Sequence, residues 1–509
     1  MKRIAAGALA AVLCIGMTGC SGVQRTAEKT SEIVLPEPPQ ELSNMILGER
    51  IASEPENVTL YYVSGDGTSF STITRSMVVS PGESLCEEAI DALLYTTATP
   101  ERMSFVPQEM QVLDVEYACG SVTVNLSLDA YGVSDEQELL MLIAAISNTL
   151  LSMQEVRSVN VLINGRSEGL ASLPLGVQTE LFSGVTPAYA KLNTEREFFL
   201  ESDTGTIARS AVLYFPAETG DWLMPEIREI TFDSSDYASL LIRALRAGPI
   251  ENHGAVSAIP ESADLLIDNP VTEVNSAGER VLHLDFAPAL RNYLAFSGLE
   301  EWKLIGSITL TLCSFVPEID AVQIDIGGEA VTECRIGQRL LTFPDGLIRR
   351  SDFEARIGST VELCLPNAEG ALDVVERAVS MACAQSPLSV LHALFDSALV
   401  SGDNAAVFPT GVYYDDILGV SVESGVASVN LSANFYRQAQ ALDATAERGV
   451  IYAIVNTLCR LENIDGVRFY IEGISAETLS GSIYLRGVLL PNPGLNHFET
   501  AAPEVTASP

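Results

Sequence analysis

The stretch "ITLTLCSFVPEIDAVQIDIGGE", Ile308 to Glu329, opens as the end of an apolar helix, passes Pro317 and closes as an alternating strand. It carries Cys313 and, ahead of its final Glu329, three closely spaced acids, Glu318, Asp320 and Asp325. Those residue types suit a catalytic site as well as architecture. The pattern recurs twice elsewhere in the chain, and internal repeats are weighed before any other inference.

The helical part is "ELLMLIAAISNTLL" (138–151) in a first unit, "KLIGSITLTLCS" (303–314) in a second and "RGVIYAIVNTLC" (448–459) in a third. Each carries a Thr-Leu near its end, at Thr149, Thr311 and Thr457. A strand follows each, and 16 residues separate the threonine from a glycine every time, at Gly165, Gly327 and Gly473. Ahead of each helix lies another alternating strand, "SVTVNLSL" (121–128), "RVLHLDFA" (280–287) and "VASVNLSA" (426–433), which places Asn125, Asp285 and Asn430 at one position. Further upstream come a starting strand ("VTLYYV", "AVLYFP", "TVELCLP") and an earlier helix ("AIDALLY", "LIRALRA", "VLHALFD"). A proline, Pro107, Pro260 or Pro409, follows each earlier helix.

Each unit therefore reads β-α-β-β-α-β, with "GSIYLRGV" (481–488) as a possible extra closing strand. An apolar helix stripe needs a sheet face to cover, so two helices packed on one face of a small sheet give a two-layer α+β domain. The expected organisation is three tandem domains over 57–172, 207–335 and 358–490. At roughly 110–135 residues, each is long enough to bury its own core.

The N-terminus has the marks of an export signal: Lys2 and Arg3, a short apolar run and the ending "MTGC". That ending resembles a bacterial lipobox. The resemblance implies a signal peptide over 1–19, lipidation of Cys20, and attachment to the outer face of the cytoplasmic membrane through acyl chains. An ordinary signal peptide with a chance cysteine is the alternative. Residues 20–56, broken by "PEPPQ", read as a flexible tether, and 491–509 as a disordered tail.

The chain has 67 acidic and 29 basic residues, a net charge of −38. No basic stripe is present, which argues against nucleic acid as a partner. Seven cysteines follow Cys20, an odd number without CxxC spacing, so neither a disulfide framework nor a metal site is indicated, although a single disulfide stays open.

The order of "LYF" (213–215), "MPEIREI" (224–230), "LIRALRAGP" (241–249), "SAIPESADLL" (257–266), "VLHLDFAPAL" (281–290) and the opening stretch resembles the GerMN family of sporulation and spore germination domains. The first unit lacks the "AGP" element, reading "YTTATP" (95–100), and the third reads "FDSALVSGD" (395–403). The resemblance implies an envelope protein without established catalytic residues, bound by its lipid and working with envelope proteins or with itself.

The residues agree. His253, His283, His392 and His497 are the only histidines. Cys383 and His392, nine residues apart, form no recognisable nucleophilic pair. Asp285 is the most tempting carboxylate, yet its counterparts are asparagines, which cannot act as general bases. No enzyme motif or cofactor loop stands out. A non-enzymatic scaffold is the expected function. A module binding peptidoglycan or another wall ligand is the alternative, through "SGDGTS" (64–69), "SGD" (401–403) or Trp222, with Trp302 expected in the core.

Overall fold

The second long helix of each unit is buried around its whole circumference. In Glu301–Phe315 every side chain from Trp302 to Phe315 is buried, and Glu136–Leu151 and Ala444–Leu458 are nearly as enclosed. A helix apolar on all sides cannot lie on one face of a sheet with its back to water. The computed structural model shows what encloses it; residues 46–51, 55–79, 84–95, 99, 106–168, 174–182, 206–232, 236–251, 254–259, 266–367, 369–400 and 408–497 are described.

Each unit is α+β, but its opening strand is half of a long antiparallel hairpin. The hairpins pair Pro55–Val63 with Phe70–Val78, Ile207–Pro216 with Leu223–Phe232, and Gly358–Pro366 with Leu372–Ser380. The first helix follows, at Leu85–Leu94, Tyr237–Arg246 or Pro387–Val400. Then comes a four-stranded sheet whose central pair is parallel: Ser121–Leu126 with Ser158–Ile163, Arg280–Phe286 with Ala321–Ile326, and Val426–Leu431 with Gly466–Ile471. The buried helix connects each parallel pair and packs on both the hairpin and the sheet. The order is thus β-β-α-β-β-α-β-β, with a second hairpin strand and a short last strand beyond the expected pattern.

The repeated threonine has a physical reason. The free edge of the opening strand runs along the buried helix, where its amides would otherwise lack partners. Thr149 Oγ1 accepts the Tyr61 N–H at 3.0 Å, Thr311 Oγ1 the Tyr214 N–H at 3.0 Å, and Thr457 Oγ1 the Cys364 N–H at 2.9 Å. In the second unit Ser307, one turn earlier, also donates to the Tyr214 carbonyl. Thr311→Val keeps the shape and removes the acceptor. It is expected to cost about 1–3 kcal/mol in urea unfolding, with Thr311→Ser close to wild type.

The turn after the parallel pair corrects the glycine alignment. All three turns have two residues in left-handed conformation: Asn164–Gly165, Gly327–Gly328 and Glu472–Gly473. They are two-residue hairpin loops of the type I′ kind, which demands positive φ at both positions. Gly165 and Gly473 therefore correspond to Gly328, not Gly327. The second unit holds one extra residue between helix and strand, in "SFVPEID", and Glu318 there has φ +59°.

Several expected boundaries shift. Residues 46–51 of the presumed tether are described, and Gly48–Ile51 forms a strand parallel to Ile417–Glu423, making the third sheet five-stranded. Residues 55 and 56 already belong to the first hairpin. At the other end, Asn496–His497 pairs with Leu372 and Asp373, and Asn492 exchanges hydrogen bonds with the Asn456 amide. The presumed tail is thus docked as far as His497. The segment after 335 belongs to the second unit: Ile348 bridges to Val322, and Phe343, Phe353 and Ile357 enter that unit's core. Residues 481–488 form no strand. Pro107 and Pro409 begin turns ahead of the next strand, through Met110 N–H to Pro107 and Val412 N–H to Pro409. Cys20, the signal peptide, Pro260, His253, residues 401–403 and residues 498–509 lie outside the described residues.

Candidate functional site

The three units meet around a buried ion pair. Arg350, on the connection that leaves the second unit, is 2% exposed, and its Nη2 donates to Glu116 of the first unit, 5% exposed. The guanidinium lies over the Tyr214 ring, 5.9 Å from its centre, and Glu354 stands 3.6 Å from Nε. Beside it, Arg166 of the first unit binds Asp320 of the second at 2.6 Å, and Ser167 pairs with Pro317. The second and third units join where Gly358, the first residue of the third hairpin, packs against Trp222 and Met224. The first and third touch through Cys119 N–H to Ser359 at 3.4 Å and Tyr117 to Glu462 at 3.3 Å.

Burial pushes the Glu116 carboxyl up to about 7, against the pull of Arg350. It does the same to Glu168, also near 7, although Glu168 accepts the Leu175 N–H at 2.8 Å. A carboxyl with a raised folded pKa holds its proton where the unfolded chain has released it. Stability then falls as pH rises from about 4.5 to 7 and levels off above. Calorimetry is expected to show a higher Tm at pH 5 than at pH 8, by several degrees, with a flatter profile in Glu168→Gln.

Three acids in the opening stretch have separate tasks. Glu318 pairs with Arg280, and Asp320 accepts from Arg166 and from the Arg280 N–H at 2.8 Å. Asp325 stands directly opposite Asp285 in the parallel register, and both are half-buried. One oxygen of each, Oδ1, is buried without a hydrogen-bond partner among the described residues. In the other units the residue at Asp285's position holds the turn: Asn125 Oδ1 accepts from Gly165 N–H and Asn430 Oδ1 from Gly473 N–H, both at 2.8 Å. Asp285→Asn removes a like-charge cross-strand pair and adds a donor facing Asp325. It is expected to stabilise by about 1 kcal/mol, read as a Tm rise of a few degrees. An unchanged or lower Tm would contradict this.

The other candidates fall into architecture. Cys313 is buried, with its thiol pushed up to about 12 by burial. Cys383 is raised by burial and by Glu49, while His392 sits on another helix against the Tyr414 ring at 5.3 Å. No hydrogen bond joins Cys383 and His392 among the described residues. His283 faces Val271 and Gln323 across its sheet, and His497 lies in the C-terminal strand. Seven cysteines, from Cys86 to Cys459, are free thiols. Trp302 is fully buried, and Trp222 is half-buried beside Gly358 at the junction with the third unit. "SGDGTS" is the tip of the first hairpin, where Asp66 accepts the Thr68 and Ser69 amides, a local turn.

Two buried glutamates escaped the sequence reading because their partners are backbone amides distant in the chain. Glu226 accepts the N–H groups of Ile250 and Glu251 at 2.8 and 2.9 Å. Its neighbour Arg228 donates to the Ala244 and Gly248 carbonyls at 3.0 and 2.9 Å. Together they hold the "AGP" loop. The equivalent residues by register are Ile73 and Val375, in the two units that lack that loop. Glu447 accepts the amides of Leu479, Ser480 and Ser482.

The profile of the Germane family, described as sporulation and spore germination, matches residues 59–169, 212–332 and 363–477, more than half of the chain. The chain belongs to this family. Among solved structures it resembles the tandem GerMN domains of the sporulation protein GerM from Bacillus subtilis, at 17% identity over 58% of this chain and 99% of that one, with a TM-score of 0.24. A putative lipoprotein from Clostridium perfringens matches at 17% identity over 30% of this chain and 97% of that one, with a TM-score of 0.14. No curated protein matches. The three Germane matches coincide with the three hairpin–helix–sheet units, and each contains its threonine contact.

Proposed function

We propose that this Germane protein is a membrane-anchored, non-enzymatic scaffold of the cell envelope that acts in sporulation or spore germination. Its place would be the outer face of the cytoplasmic membrane, held by lipid on Cys20. The observation that carries the reading is the use made of the buried charges. Glu116 and Arg350 join units, while Glu226 and Glu447 bind loop amides. Such groups fix shape, and a protein whose polar chemistry is spent on shape presents surfaces to partners.

The test is genetic and biochemical. Deleting the gene in its own host is expected to lower the yield of heat-resistant spores or slow their germination. A Cys20→Ala chain is expected to leave the membrane fraction and fail to restore the phenotype. Full restoration by that variant would overturn the anchored reading, and normal spores in the deletion strain would overturn the role itself. Sedimentation with purified peptidoglycan would favour a wall-binding module instead.

A further inference from the structure

The strand Gly48–Ile51 lies on the outer edge of a sheet whose own residues are nearly 370 positions away in the chain, and the third unit is shaped to receive it. A Cβ on Gly419 would stand 2.5 Å from the Gly48 carbonyl oxygen, 2.7 Å from its nitrogen and 2.9 Å from the Ile46 oxygen. The position that corresponds in the first unit, just after the same register shift, is Asp114. Asn430 differs in the same sense: besides holding its turn, it donates from Nδ2 to the Ile46 carbonyl at 2.8 Å. Glu49 accepts from the Leu388 N–H and the Ser386 hydroxyl, both at 2.9 Å, at the start of the helix Pro387–Val400.

The strand itself is weakly held. All four of its residues are exposed, so it adds little apolar burial, and only residues 52–54 separate it from the first hairpin at Pro55. Segments with exposed backbone bonds and few core contacts open at low cost. Short hinges favour exchange of an element between copies, because a swapped strand makes the same contacts without the tight connection.

We propose that the edge Ile417–Glu423 is a strand-receiving site and that residues 46–51 of a second copy occupy it in place of the chain's own, linking copies by strand exchange. The recognition groups are Gly419, Asn430 and the helix start at Ser386 and Leu388. The inference rests on this geometry alone and is independent of membrane anchoring.

Two full-length variants test it. Deletion of residues 46–51 leaves the receiving edge empty. Gly419→Val blocks the edge without left-handed backbone strain, and the three atoms nearest its added Cβ all belong to residues 46 and 48 of the incoming segment. Each is expected to sediment as a monomer, and their equimolar mixture as a one-to-one dimer. Adding Glu49→Ala to the Gly419→Val chain is expected to weaken that dimer about tenfold. A mixture that remains monomeric overturns the proposal. A second readout keeps the native edge: Arg50 pairs with Ser421, so mixed chains carrying Arg50→Cys or Ser421→Cys are expected to give a covalent dimer on oxidation. Oxidation that yields only monomers in that mixture also overturns it.

Discussion

Arg350→Ala is expected to lower the unfolding free energy by about 3–5 kcal/mol, because Glu116 must then stay charged without its partner or take up a proton in the buried junction. Glu116 is 5% exposed, and Arg350 is the only cation bonded to it among the described residues. The substitution also strips the guanidinium from the Tyr214 ring, where the two units' side chains meet. Glu116→Ala is expected to cost somewhat less, because Glu354, 3.6 Å from Nε, still faces the arginine. The double variant Arg350→Met/Glu116→Leu should recover most of the loss, since a buried pair replaced by apolar side chains is often neutral or better. Urea unfolding of the four chains measures the coupling. A loss under about 1 kcal/mol for Arg350→Ala would show that water reaches the junction.

The second large effect is expected at Glu447, in the first turn of the buried helix Ala444–Leu458. Burial alone would raise its carboxyl, but the Ser480 and Ser482 amides outweigh it and hold the group below the usual glutamate range. Glu447→Ala leaves the amides of Leu479, Ser480 and Ser482 without their acceptor. Water can reach Ser482, which is exposed, but not Leu479, which is buried, so the net cost is expected at about 2–4 kcal/mol. Hydrogen exchange should show those three amides losing protection together. Because the folded pKa is lowered, the contribution of Glu447 is present above about pH 4.5 and is lost as pH falls through the folded value. Retained protection in Glu447→Ala would mean that another acceptor organises the loop.

The same glutamate explains why "GSIYLRGV" misled. Its alternation is that of a strand, yet the amides just before it and at Ser482 are taken by a carboxylate from a helix. A strand needs those amides for a ladder. The second hairpin strands were harder to see for another reason. "LDVVERAVS" is half-buried along most of its length, and half-burial on both faces blurs the alternation that marks a strand. Asp285 stood alone in the sequence because its neighbour across the sheet, Asp325, lies 40 residues on, and only pairing brings the two together. The one-residue step that moved Gly327 to the first turn position was hidden because the next residue is also glycine.

What the sequence by itself determined was local and repeated: three buried helices, each with a threonine within about one turn of its end, each followed by a strand and a tight turn. Periodicity and turn chemistry act over a few residues, so they are written in the chain wherever they occur. The tertiary structure decided what lies between repeats. It placed the N-terminal strand on the third sheet, brought Arg350 to Glu116 from 234 residues away, and gave the glutamates their amide partners. Those contacts depend on which surfaces the folded units bring together, and a buried charge finds its partner by position in space, whatever the spacing in the chain.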